Sequence, residues 1–273
     1  MTTPPVPGVT YTEETVPVGR LNVDPEVQRP LNLAKVTDIK RSFNWDAVGV
    51  LTVSSRGADE YMVVLDGQTR LQVVKELTDN TGVLPCRVFR GLTKEQEALL
   101  FLALNNTTKV RPLDQFRVKV TAEDPVAVDI NRMIRSYGWD VGSGKNTGYV
   151  NAVAALQWVY RKSEEAGCEP NLVQMVALVT KRAWGLDPDG MTGPLIKGLG
   201  LLFLVHSSRI EVDRLVERLS RWRNGPVGLG NEASAHAKVQ SMRVFNAVAD
   251  LVSIEYSRGG GQRHQLGTWP HRR

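Results

Sequence analysis

The stretch Val63-Val64-Leu65-Asp66-Gly67-Gln68-Thr69-Arg70 changes its hydrophobic period half-way along. Residues 61–65 are apolar, with the β-branched Val63 and Val64 among them, which predicts a strand, whereas Leu71, Val73, Val74 and Leu77 recur at helical spacing. Residues 66–69 are therefore a strand-to-helix turn. The first amides of a helix have no intrahelical acceptor and carry partial positive charge. Gly67 lets a ligand approach the backbone, and Arg70 adds a planar fork of donors suited to phosphate oxygens. Two readings follow: a phosphate site, or a plain helix start at which Asp66 caps and Arg70 pairs with a nearby carboxylate. The turn alone does not choose between them.

Working outward, residues 16–30 hold an extended segment followed by a loop with Glu26 and Arg29, and Val36, Ile39 and Phe43 are spaced as on a helix. Residues 50–54 and 61–65 read as two strands around a turn at 56–59. Beyond the central turn, residues 84–89 alternate like a further strand. Thr93 opens a capped amphipathic helix that ends in Asn105-Asn106-Thr107-Thr108-Lys109, with Leu113-Asp114-Gln115-Phe116 after it.

This order of segments, from about Val16 to Phe116, resembles the ParB and sulfiredoxin superfamily. The Asp-Gly-Gln-Thr-Arg turn is similar to the Asp-Gly-His-His-Arg of its free-serine kinases, the Gly-Glu-Arg-Arg of ParB and the Gly-Cys-His-Arg of sulfiredoxin. The resemblance implies an α/β (α+β) fold with a small mixed sheet over residues 16–116. It also implies a nucleotide pocket lined by Arg29, Asp66, Gly67, Gln68, Thr69, Arg70, Asn105, Asn106 and Lys109. The expected ligand is a nucleoside triphosphate, CTP or ATP, with Asn106 as the candidate ligand for magnesium. The ending from Asn105 to Lys109 resembles a third conserved box of ParB, with Asn105 standing where the family has an acid and Lys109 where it has an arginine. An amide is a poorer magnesium ligand than a carboxylate, and an ammonium is a point charge where a guanidinium is a fork. Gln68 occupies the position of the sulfiredoxin cysteine and offers no nucleophile, so the chain is not a sulfiredoxin.

Of the 273 residues, 34 are Lys or Arg and 29 are Asp or Glu, a formal net charge of +5 that favours an anionic partner. Cys86 and Cys168 are the two cysteines, with spacing that suggests neither a disulfide framework nor a zinc site. There is no glycine-rich loop ending in Gly-Lys-Ser/Thr and no Ser, His, Asp order suggesting a triad. No apolar run reaches the roughly 18 residues of a membrane span, and the expected location is the cytoplasm of a bacterial or phage-infected cell. Residues 1–15, with several prolines and no periodicity, are expected to form a flexible arm.

Past Phe116 the pattern turns helical, with helices expected at 126–137, 149–166, 172–183, 193–206, 211–222 and 232–256, and a flexible loop at 224–230. Residues 126–165 have the rhythm of a helix-turn-helix with an overlong turn, and an ordinary helical hairpin is the alternative. In the DNA-binding reading Tyr149, Asn151 and Gln157 lie on the reading helix, while Arg132, Arg135 and Lys145 meet phosphates. Trp184, Phe203, Trp222 and Phe245 fall on apolar helical faces and are read as core. The long last helix is a candidate homodimer contact. From 257 to 273 the chain has Arg258, Arg263, Arg272 and Arg273 and no acid, a composition suited to a phosphate backbone.

The expected function is a DNA-binding protein regulated by a nucleotide bound at the turn. A second reading is an NTP-hydrolysing or phosphotransfer enzyme of a DNA-modification system, with Glu26 or Asp66 as base. Nuclease activity and pure scaffolding are further alternatives.

Overall fold

The computed structural model describes residues 10–56, 61–105, 111–142 and 147–266, apart from the side chains of Ser207 and Arg263. The chain divides into two compact units, Met1–Asp124 and Pro125–Arg273.

The first unit is built on a five-stranded mixed sheet. Its strands are β1 (Tyr11–Pro17), β2 (Leu21–Asn22), β3 (Leu51–Ser55), β4 (Met62–Asp66) and β5 (Val83–Arg90), in the order β1-β5-β3-β4-β2. The β1/β5 and β3/β4 pairs are antiparallel, whereas β3/β5 and β2/β4 are parallel. Successive side chains of β4 point to opposite faces, so Met62 and Val64 join one core with Leu51, Val53, Leu71 and Val88, while Val63 and Leu65 join another with Ala98, Phe101 and Val118. A strand covered on both faces must be apolar throughout, as residues 62–65 are. Around the sheet lie α1 (Leu33–Arg41), α2 (Gln68–Leu77), α3 (Lys94–Leu104) and α4 (Pro112–Thr121). The α/β class expected from the sequence is the one observed.

The expected arm needs correction. Tyr11 to Thr15 are not loose but pair with Phe89 to Pro85 as the edge strand β1, and residues 1–9 lie outside the described part. The unit also extends past Phe116, because α4 buries Phe116 and Val118.

The second unit is helical: α5 (Pro125–Ser136), α6 (Val153–Ala166), α7 (Leu172–Trp184), α8 (Gly193–His206), α9 (Val212–Ser220), α10 (Gly225–Val239) and α11 (Val244–Ser257). At its centre α8 buries nine of its 14 residues. A Cβ on Gly198 of α8 would lie 2.5 Å from Val248 Cγ1, so the missing side chain is what lets α11 approach.

Three sequence expectations fail in this unit. The single helix over 232–256 is two helices, α10 and α11, broken at residues 240–243, which removes the long helix on which the dimer idea rested. The loop at 224–230 is instead the start of α10, where Asn224 in the left-handed region is followed by Pro226 within the first turn. Between α5 and α6 the chain forms a short parallel ladder, β6 (Asp140–Val141) with β7 (Tyr149–Val150), in place of a helix-turn-helix turn. Tyr149 is thus a strand residue and Asn151 precedes α6, so neither lies on a reading helix; Gln157 does lie on α6 and is half-buried. Arg132 pairs with Asp129 and Arg135 with Asp140, and Lys145 lies outside the described residues.

The basic tail also begins as folded chain. Ser257 ends α11, Leu266 is buried, and its amide donates to Ser257 Oγ at 3.3 Å. The Arg263 side chain and residues 267–273, with Arg272 and Arg273, lie outside the described part. Among the described residues no helix is long and apolar enough to cross a membrane.

Candidate functional site

The turn at the end of β4 is held from three sides. Gly67, at φ +97°, is the N-cap of α2, a conformation in which an L side chain is strained; a Cβ there would also meet Leu51 Cγ at 2.6 Å. With glycine at this position no side chain caps α2, and the amides of Gln68, Thr69 and Arg70 keep the partial positive charge of a helix start.

Arg70 does not extend as a fork toward a ligand. Its Nη1 donates to the Val48 carbonyl at 2.7 Å and its Nη2 to Asp66 Oδ2 at 2.9 Å. The guanidinium therefore ties the loop before β3 to the turn and neutralises the Asp66 carboxylate. The pairing reading of this residue describes its geometry, although the expected partner carboxylate proves to be Asp66 itself.

The third support is the loop after β2. Gln28 is buried and its Nε2 donates to the carbonyls of Val64 at 2.9 Å and Leu65 at 2.7 Å, pinning the loop beside the turn. This anchor sets the neighbouring Arg29 against α2. Gln68 Nε2 donates to the Arg29 carbonyl at 3.1 Å, while Gln68 Oε1 is buried without a hydrogen-bond partner.

Two clefts flank the start of α2. The smaller, of about 230 Å³, runs along the turn from Asp66 to Arg70 and is also lined by Arg29, Lys35, Ile39 and Asn105. Among the described residues neither Arg29 nor Lys35 has an acidic partner, so the cleft collects two cations and uncapped amides around one already neutralised carboxylate. The larger, of about 410 Å³, shares Gln28, Arg29 and Gln68 with the smaller. Its wall mixes apolar residues, Leu21, Val23, Pro25, Leu31 and Leu71 among them, with polar ones that add Asn22, Gln72, Lys75, Asp114 and Arg117 to the three shared. Burial pushes the Lys75 ammonium below its ordinary value, and its Nζ donates to the Leu21 carbonyl at 2.8 Å.

The structure thus brings Arg29, Asp66, Gly67, Gln68, Thr69, Arg70 and Asn105 to one cleft. Asn105, the C-cap of α3, uses its Nδ2 to donate to the Phe101 carbonyl at 2.9 Å. Asn106 and Lys109 lie outside the described residues. Glu26 is in neither cleft wall: it pairs with Lys94 at the start of α3. That pair belongs to a charge cluster in which Arg56 holds the partly exposed Asp24 and the fully buried Glu97, with Nη2 at 2.7 Å and 2.5 Å from them. Hydrogen bonds to Glu97 raise Arg56 above its ordinary value, and those to Asp24 add to the effect. Two residues escaped the sequence reading. Gln28 and Lys35 belong to segments that only the folding of the loop onto β4 and of α1 beside α2 brings to the turn, and no local signal marks them. Among the described residues no group of three His, Cys, Asp or Glu is placed to hold a metal ion.

Comparison with solved structures finds likeness to a pNOB8-like ParB N-domain, at 17% identity and a TM-score of 0.34, covering 88% of this chain and 78% of that one. Another crystal form of a pNOB8-like ParB N-domain gives 16% identity and a TM-score of 0.38, covering 83% of this chain and 93% of that one. At such identities and TM-scores the likeness says nothing of ligand or activity. No curated protein matches the chain. One family model does, over residues 25–248, which takes in most of both units, and the chain therefore belongs to DUF6551, a family of unknown function.

Proposed function

We propose that the protein binds a nucleotide in the paired clefts of its first unit and that occupancy regulates its association with DNA. The observation that carries the nucleotide half is the meeting of the uncapped amides of α2 with Arg29 and Lys35 in the smaller cleft. Helix-start amides and basic side chains together favour phosphate oxygens. The larger cleft next door, whose wall mixes apolar and polar side chains, offers room for a sugar and base. Magnesium, if used, would have to be held largely by the phosphates and water, since the one carboxylate of the smaller cleft is already bonded to Arg70.

Binding is favoured over turnover because both candidate bases are engaged, Asp66 by Arg70 and Glu26 by Lys94. The sequence pI of about 9.3 supports the DNA half.

The test is isothermal titration and thermal shift with CTP, ATP and GTP in magnesium. One nucleotide should raise the melting temperature, and Arg29→Ala with Lys35→Ala should weaken it at least about tenfold. The melt of the unliganded variant should hardly change, since among the described residues neither side chain has an ion pair to lose. If no nucleotide shifts the melt of the unaltered protein, the reading fails.

A further inference from the structure

The second unit has an arginine-lined cleft of about 270 Å³ that the nucleotide reading does not use. It arises from the basic face of α9. Arg214, Arg218 and Arg221 stand at i, i+4 and i+7, so they share one side of the helix, about a third of a turn from the buried Leu215 and Leu219. The first two are engaged by the fold. Arg214 donates from Nε to the Tyr256 carbonyl at 3.0 Å and from Nη2 to the Arg258 carbonyl at 3.0 Å; Arg218 Nη2 reaches the same Arg258 carbonyl at 2.7 Å. Both thereby satisfy the carbonyls at the C-terminal end of α11.

Arg218 also lines the cleft, together with the exposed Arg221, Arg223 and Arg258, against two carboxylates, Glu232 and Glu255. Glu255 lies between Arg218, at 3.5 Å, and Arg258, at 3.0 Å. Arg221 pairs with Glu217, but both are largely exposed, at 70% and 50%. An ion pair so open to water contributes little and is readily exchanged for another anion. Arg223 is exposed and has no acidic partner among the described residues. Trp222, expected to be core, is half-buried and lines the same cleft, so an aromatic ring stands beside the arginines. Cations beside an aromatic ring in a groove suit a strand whose phosphates meet the charges and whose bases can stack.

We propose that this cleft holds the phosphodiester backbone of a nucleic acid strand, with Arg221 and Arg223 as its main phosphate contacts. The proposal rests on the DNA half of the function above and is independent of the nucleotide clefts. It moves the contact away from Arg132 and Arg135, which are paired on α5 or with β6.

The experiment is fluorescence anisotropy of the full chain with a labelled single-stranded oligonucleotide and with its duplex, over a series of salt concentrations. Arg221→Ala with Arg223→Ala should lower affinity at least about tenfold and reduce the slope of log affinity against log salt by about 2. The Arg→Lys pair should keep most of that slope, and circular dichroism should show both variants folded. Unchanged binding by the alanine variant would overturn the proposal while leaving DNA association to another surface. No salt-sensitive binding of either strand form by the unaltered protein would overturn the DNA half as well. Displacement by inorganic phosphate as effective as by oligonucleotide would overturn it too, marking a small-anion site.

Discussion

Arg70 and Arg29 lie on the same cleft and have different roles. Arg70 holds two backbone and side-chain oxygens of its own unit, Val48 O and Asp66 Oδ2, and is largely covered, whereas Arg29 has no ion pair among the described residues. Removing Arg70 leaves a carbonyl and a carboxylate without their donor. Arg70→Ala should therefore cost about 1 to 2 kcal/mol of stability, read from urea midpoints, since each such bond contributes about 1 kcal/mol and part of the ion pair is exposed to water. A variant as stable as the parent would show that the clamp contributes nothing. The motif places Arg70 at this turn. Sequence alone could not say whether its fork would face ligand or backbone, because Val48 lies 22 residues away and only the packing of β3 against β4 brings it near.

At the level of elements, capping patterns transferred well from sequence to structure and breaks did not. Thr93 accepts from the Gln96 amide while Gln96 Oε1 accepts from the Thr93 amide at 3.0 Å, so α3 starts where the pattern places it. Thr93→Ala should destabilise the protein by about 1 kcal/mol, checked by denaturant unfolding, and Thr93→Ser should restore most of it. The consequence for the site is that α3 ends on Asn105, at the rim of the smaller cleft. The break between α10 and α11 carries no proline or glycine. Apolar periodicity runs on through it, and the chain turns because Ser241, at φ +51°, lets α11 fold back onto α8 and α10. The helix-turn-helix reading failed for a related reason: the spacing of apolar residues was helical on both sides, but Asp140 and Val141 pair with Tyr149 and Val150.

For the whole molecule, stability against acid depends on the charge cluster of the first unit. Burial pushes Asp24 upward, but hydrogen bonds from Arg56 and the Glu26 amide, with the charges of Lys94 and Arg56, outweigh it and hold the carboxyl below its ordinary 3.8. A depressed carboxyl stabilises the fold fully above its unfolded value and loses that contribution as pH falls through the folded value. Melting temperature should thus fall below about pH 4, and Asp24→Asn should make that fall shallower while lowering stability at neutral pH by less than about 1 kcal/mol. An acid limb unchanged in Asp24→Asn would remove Asp24 from the account. Most of β1 and all of α4 escaped the sequence reading; what the sequence by itself determined was β3, β4 and β5 with α1, α2 and α3 of the first unit, where the turn would fall, and that the second half would be helical. Those are local properties, set by apolar period, caps and the glycine that the turn needs. Tertiary structure alone decided that Gln28 would anchor the loop bearing Arg29, that Lys35 would join the cleft, that Arg70 would face inward, and that Arg214 and Arg218 would close α11. Each of these depends on a hydrogen bond or approach between residues far apart in the chain, and such partners are chosen by how sheets and helices pack, which no local pattern of residues encodes.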